Sequence, residues 1–142
     1  MGKKNYGKSV KTRLLNLMNE TGYKYLYLLA RYFNERLLYR VSVSQYKDNF
    51  LLKGGSLLYA MDGLNARPTI DVDFMAERIS RNREFLTKVF QEILGIVCDE
   101  DGVTFDTENI TMELSLWKRN ILVQGSSSRH TWTALSIKCP WT

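Results

Sequence analysis

The chain of 142 residues has only two cysteines, one histidine and two prolines, and it contains no apolar run long enough to span a bilayer. Cys98 and Cys139 lie far apart without a CxxC pair, so their spacing indicates neither a disulfide framework nor a zinc site. A nucleophile–histidine pair would have to use His130. The N-terminus leads into no signal-type apolar core. We therefore expect a cytoplasmic protein with reduced thiols and no membrane partner.

Charge is distributed unevenly along a chain of otherwise ordinary globular composition, with 44% hydrophobic and 25% charged residues. Residues 1–45 carry a net charge of +7, because nine lysines and arginines are opposed only by Glu20 and Glu35. The remaining residues carry −2, which recovers the total of +5. A basic end joined to a slightly acidic body favours a polyanionic partner such as RNA. A solvated basic helix surface is the alternative.

Hydrophobic periodicity predicts helices first and a mixed α/β unit after them, in a chain of single-domain length. Helical spacing and stop signals predict helices over residues 9–18, 24–39, 56–61 and 83–97. Short apolar runs predict strands over residues 49–53, 69–75, 103–105, 110–116, 121–124 and 131–137. The expected fold class is therefore α/β (α+β), with N-terminal helices leading into a small mixed sheet.

Two aspartates, Asp71 and Asp73, stand one residue apart inside a predicted strand. Side chains at positions i and i+2 of a strand leave the same face, so the two carboxylates would stand side by side. Ionising both is costly unless a cation or a donor lies between them. A hard divalent ion, Mg²⁺ or Mn²⁺, satisfies this requirement and can bridge to substrate phosphates. A solvated strand edge is the alternative.

A glycine pair, Gly54 and Gly55, follows a predicted strand, and Ser56 opens a predicted helix. Without Cβ atoms, the backbone N–H groups at the positive helix end can approach a phosphate closely. Ser56 could donate its hydroxyl to a phosphate oxygen, or it could cap the helix. An ordinary turn explains the glycines alone. Together with the aspartate strand downstream, they predict the two halves of a nucleotide–metal site.

The segment over residues 49–74 resembles the AbiEii/AbiGii toxin family of the nucleotidyltransferase superfamily. The resemblance rests on a Leu-Lys-Gly-Gly strand end and an Arg-x-Thr-x-Asp-x-Asp-Phe segment, and it extends over residues 46–116. It implies a polymerase-β-like nucleotidyltransferase core in a type IV toxin–antitoxin toxin of phage defence. Such an enzyme binds an NTP with Mg²⁺ (or Mn²⁺) and transfers a nucleotidyl group to RNA, such as tRNA, or to a protein. A cognate antitoxin is its expected partner.

Carried onto this chain, the resemblance implies a site built from three kinds of residue. Those that hold the phosphates are Gly54, Gly55 and Ser56. Those that hold the metal ions, and so are catalytic, are Asp71 and Asp73. Those that balance charge are Lys53 and Arg67, for which a structural ion pair is the alternative. The resemblance also divides the chain into a basic helical region, residues 1–45, and a nucleotidyltransferase-like core, residues 46–142.

A third carboxylate, which two-metal transfer normally needs, is missing where the resemblance places it. The corresponding strand offers Ser136 and Lys138 but no acid. Asp106, Glu108 and Glu113 are candidate substitutes, and Glu113 is the best placed because it lies inside a predicted strand. The family continues with a further helical part, so we expect a chain truncated at its C-terminus. The alternative function is an inactive remnant or a non-catalytic nucleotide- or RNA-binding module.

Overall fold

The computed structural model describes residues 5–66, 72–108, 110–119 and 130–138. Its helices are α1 Tyr6–Thr21, α2 Tyr25–Val43, α3 Gly54–Asp62 and α4 Arg83–Leu94, and short 3-10 turns cover Gly63–Asn65 and Asp99–Asp101. Its strands are β1 Phe50–Lys53, β2 Val72–Ala76, β3 Thr111–Arg119 and β4 His130–Lys138. This combination confirms the expected α+β class. None of the helices in these ranges is both long and apolar enough to cross a bilayer.

Helix α1 begins and ends at local capping groups. The Asn5 side chain accepts a hydrogen bond of 3.0 Å from the Lys8 N–H, which satisfies a donor that the first turn leaves unpaired. Gly22 adopts a φ of +74°, and its N–H donates to the Met18 carbonyl to close the helix. The helix predicted over residues 9–18 is confirmed but is longer at both ends, because apolar periodicity marks the buried side of a helix and not its caps.

The described strands form an antiparallel sheet in the order β1-β2-β4-β3. The sheet was expected to be mixed, but these strands pair antiparallel throughout. Lys53, the last residue of β1, pairs with Asp73 near the start of β2, so β2 starts at the end of the sheet at which β1 stops and runs in the opposite direction. Residues 69–71 of the predicted strand over 69–75, and the whole predicted strand over 121–124, lie outside the described residues.

The core lies on one face of this sheet, between β1, β2, α2 and α4. The rings of Phe50, Phe74 and Phe90 meet there with centroids 5.0 to 6.1 Å apart, which suits tilted and edge-to-face aromatic packing. Leu37 and Val41 of α2 belong to the same buried cluster. Helix α2 therefore packs directly on the sheet, and the division of the chain after residue 45 stays a prediction.

The turn after α4 is held by a buried ion pair between Arg40 and Asp101, at 2.7 Å. Arg40 Nη2 also donates to the Val103 carbonyl, and the Val103 N–H donates to Asp101 Oδ1. The predicted strand over residues 103–105 is therefore wrong, because the backbone polar groups of Val103 are satisfied by side chains and not by a neighbouring strand. The helix predicted over residues 83–97 is confirmed but ends earlier, before Gly95.

Candidate functional site

The junction of β1 and α3 has the backbone geometry that the glycine pair predicts. Gly54 adopts a φ of +64°, a conformation that side-chain-bearing residues rarely adopt, and it is the first residue of α3. The residue before the helix is Lys53, whose side chain makes no capping hydrogen bond to α3. The positive end of the α3 helix dipole therefore lies at Gly54 and Gly55, without an oxygen of the preceding residue in front of it.

Ser56 is buried in the first turn of α3. The capping alternative is excluded, because the N-cap position belongs to Lys53 and Ser56 is the third residue of the helix. Its burial places the hydroxyl on the protein side of the turn. Ser56 therefore also contributes to the packing of α3, whatever its part in ligand binding.

The structure brings the glycine turn and the aspartate strand into direct contact. Lys53, the last residue of β1, pairs with Asp73 of β2. A Cβ atom built on Gly54 would lie 3.0 Å from Asp73 Oδ2, closer than ordinary van der Waals contact. The half-buried carboxylate of Asp73 therefore occupies the space beside Gly54 that any other residue would fill.

The two other residues assigned to the site, Asp71 and Arg67, lie outside the described residues. Lys53 is half-buried and stands directly opposite Asp73, as a charge partner of the aspartates would. Among the side chains that the structure describes, no three acidic, histidine or cysteine groups come together as a metal cluster. Asp73 nevertheless suits a hard divalent ion, because its carboxylate oxygens are the preferred donors and Gly54 leaves one of them uncovered by a side chain.

A series of directly paired residues leads from Asp73 across the sheet to β3. Asp73 is opposite Ser136 of β4, and Ser136 is opposite Glu113 of β3. Directly paired positions share one face of an antiparallel sheet, so Lys53, Asp73, Ser136 and Glu113 form one row of positions on the face away from the core. Lys138 instead pairs with Thr111, outside this row.

The acidic positions before β3 have a different environment. Asp106 and Glu108 are both exposed in the segment that precedes the strand. Asp106 Oδ1 accepts a hydrogen bond of 2.9 Å from the Glu108 N–H, which closes a local turn. Of the three candidate substitutes for the missing acid, only Glu113 occupies a position in the same row as Asp73.

A group of residues that sequence reasoning did not identify holds α3 against α2. The Tyr59 hydroxyl of α3 donates to Glu35 Oε1 at 2.5 Å, and the guanidinium of Arg31 lies over the Tyr59 ring. Arg31 Nη1 also donates to the Tyr27 hydroxyl at 2.6 Å. Burial raises the pKa of the Glu35 carboxyl, although the nearby guanidinium groups of Arg31 and Arg36 oppose this rise. These contacts link α3 to α2 through Tyr59.

The sequence contained only part of the signal for this group. Arg31 and Glu35 are one helical turn apart, which indicates a shared side of α2. Their partner Tyr59 is 24 positions from Glu35, in α3, and no local pattern indicates that α3 packs against α2. A second partner of Arg31, Tyr27, lies one helical turn before it on α2, and the Arg31 guanidinium contacts its ring as well as its hydroxyl.

A family model described as "Nucleotidyl transferase AbiEii toxin, Type IV TA system" matches residues 36–125. The matched range begins within α2 and includes the glycine turn and Asp73. No curated protein and no solved structure matches the chain.

Proposed function

Because the chain belongs to the AbiEii family of nucleotidyl transferase toxins of type IV toxin–antitoxin systems, we propose that it transfers a nucleotidyl group from an NTP to an RNA or protein acceptor. In this reaction an acceptor hydroxyl attacks the α-phosphorus, the bond to the β-phosphate breaks, and pyrophosphate leaves. The observation that carries the proposal is the contact between Gly54 at the start of α3 and the Asp73 carboxylate. It joins a phosphate-binding helix end to a metal-binding group.

The glycine turn binds the triphosphate in this proposal. The first N–H groups of α3 donate to phosphate oxygens, and the helix dipole favours the negative charge. Gly54 and Gly55 keep the approach free of side chains, and Ser56 holds the turn from its buried side. Lys53 and Arg67 balance the charge of the phosphates or of the aspartates.

Asp71 and Asp73 would hold the divalent ion, Mg²⁺ or Mn²⁺. When bound, such an ion supplies positive charge that offsets the charge of the phosphates during transfer. Asp73 is well placed for this role, because the β1–β2 pairing keeps its carboxylate beside the start of α3. Asp73 and the start of α3 would then hold the ion and the phosphates together at the end of β1.

The acceptor and partner proposals rest on charge and on family. Exposed Lys8, Lys11 and Arg13 belong to the N-terminal part of the chain with a net charge of +7, which favours an RNA acceptor such as tRNA. Membership in a toxin–antitoxin family also supports a cognate antitoxin and a cytoplasmic site of action.

The experiment that tests the proposal measures transfer of α-phosphate label from NTPs to RNA and protein, with Mg²⁺ or Mn²⁺ present. We expect Asp73→Asn to lower transfer by at least about 100-fold, since it removes a carboxylate from the reacting centre. Asp62→Asn is the matched control, because Asp62 is exposed at the opposite end of α3. Full transfer by Asp73→Asn would contradict the catalytic assignment. Salt-sensitive RNA binding without transfer by the unaltered protein would instead favour a binding module.

A further inference from the structure

A small cavity between α2 and α3 has a buried arginine in its wall. The residues that line the cavity are Arg31, Asn34, Glu35, Leu38, Ser56 and Tyr59. Its volume is about 20 Å³, enough for one group of the size of a water molecule, and it is partly open to solvent. Ser56 belongs to the first turn of α3, so the cavity reaches the helix end that binds phosphates in the proposed function, on which this inference rests.

Arg31 is only 6% exposed, yet one edge of its guanidinium has no acceptor. Nη1 donates to the Tyr27 hydroxyl, whereas Nε and Nη2 have no hydrogen-bond partner within the described part of the chain. Glu35 attracts Arg31 but accepts no hydrogen bond from either of these nitrogens. Buried donors without an acceptor, and charged ones above all, destabilise a protein until a ligand or water satisfies them. A negatively charged acceptor suits a guanidinium best.

The guanidinium lies beside the first turn of α3. Ser56 and Tyr59 are three residues apart, so they share one side of the helix. Helical side chains tilt toward the N-terminus, so the ring of Tyr59 covers the turn that precedes it. The Arg31 guanidinium lies over this ring. Its charge and the positive end of the α3 dipole therefore favour the same negatively charged ligand.

We propose that Arg31 binds an oxygen of the nucleotide's triphosphate, which enters the cavity beside Ser56 while the first N–H groups of α3 bind the same phosphate chain. The size of the cavity suits one oxygen and not a whole phosphate group. Nε and Nη2 lie along one edge of the guanidinium and can donate together, which is how arginine binds phosphate oxygens. Arg31 is therefore a phosphate-binding residue and not only a packing contact of Tyr59.

The test measures binding of inorganic tripolyphosphate to the full chain by calorimetry, without divalent ions, so that the proposed metal site does not contribute. We expect Arg31→Gln to weaken binding by at least about tenfold, because charge-assisted hydrogen bonds to the phosphate are lost. Arg31→Lys should weaken it less, since lysine keeps the charge but not the paired donors. Arg78→Gln is the matched control, because it removes the same charge from an exposed position after β2.

The outcomes separate this inference from the proposed function. If Arg31→Gln binds tripolyphosphate as well as the unaltered chain does, the inference is wrong, while the proposed function stands. If the unaltered chain binds no tripolyphosphate but transfers label from NTPs, the inference is again wrong; if it does neither, the proposed function fails as well. Weaker binding of an RNA oligonucleotide by Arg31→Gln, with unchanged binding of tripolyphosphate, would assign Arg31 to the RNA backbone and overturn the inference.

A second measurement uses the unaltered chain alone. Circular dichroism shows whether each variant folds. If Arg31→Gln does not fold, nuclear magnetic resonance can follow the Arg31 Nε–H signal of the unaltered chain during titration with tripolyphosphate. We expect this signal to shift and to saturate at the affinity that calorimetry measures. A signal that does not move while tripolyphosphate binds would overturn the inference.

Discussion

Substitution of Gly54 by alanine tests the contact on which the site depends. At a φ of +64° an alanine meets left-handed strain of about 1–2 kcal/mol. The lower entropy of the unfolded chain offsets about 0.4–1 kcal/mol of this strain, which leaves a net loss of about 1 kcal/mol. The new Cβ would also lie 3.0 Å from Asp73 Oδ2, so the carboxylate must shift by a few tenths of an ångström. Overpacking of this kind adds about 1 kcal/mol.

Gly22→Ala is the matched control for this substitution. Gly22 has a φ of +74°, but a Cβ built on it meets no atom within 4 Å. It therefore reproduces the backbone strain without the contact to Asp73. We expect Gly22→Ala to lower the free energy of unfolding by about 1 kcal/mol. Gly54→Ala should lower it by about 2 kcal/mol in total.

Urea denaturation followed by circular dichroism measures both free energies, and Mn²⁺ binding measures the consequence for the site. We expect Gly54→Ala to weaken Mn²⁺ binding by at least about tenfold, because the displaced carboxylate no longer has the geometry of the ligand. Gly22→Ala should bind Mn²⁺ like the unaltered chain. Equal Mn²⁺ affinities in the two alanine variants would refute the argument that Gly54 positions Asp73.

Two further predictions concern buried charge. Asp101→Ala leaves the buried guanidinium of Arg40 without its carboxylate partner. Urea denaturation should show that this substitution lowers the free energy of unfolding by about 3–5 kcal/mol. Asp99→Ala, at an exposed position of the same turn, should have little effect. Burial raises the pKa of Glu35, against the opposing effect of Arg31, so the folded state binds this proton more tightly than the unfolded chain. The contribution of Glu35 to stability should therefore decline as pH rises from about 4 through the raised pKa, and urea denaturation across this range should show no such decline in Glu35→Gln.

Features that depend on near neighbours were predictable from the sequence. The helical periodicity of α1, α2 and α4 and the run of Gly54, Gly55 and Ser56 after a short apolar strand each involve residues a few positions apart. Such patterns reflect backbone conformation and burial of one face, which follow from the local sequence. The α+β class and the assignment to the family came from these features.

The sequence alone thus determined the helices, the glycine turn and the candidate metal-binding aspartates, because each is a local pattern. Only the tertiary structure decided which distant residues meet them. The Arg40–Asp101 pair spans 61 positions and makes residues 103–105 irregular, which apolar content could not reveal. The row that joins Asp73 to Glu113 depends on strand order, since β4 lies between β2 and β3 although it follows both in the chain. Strand order is set by packing and pairing across the whole sheet, and no local pattern encodes it.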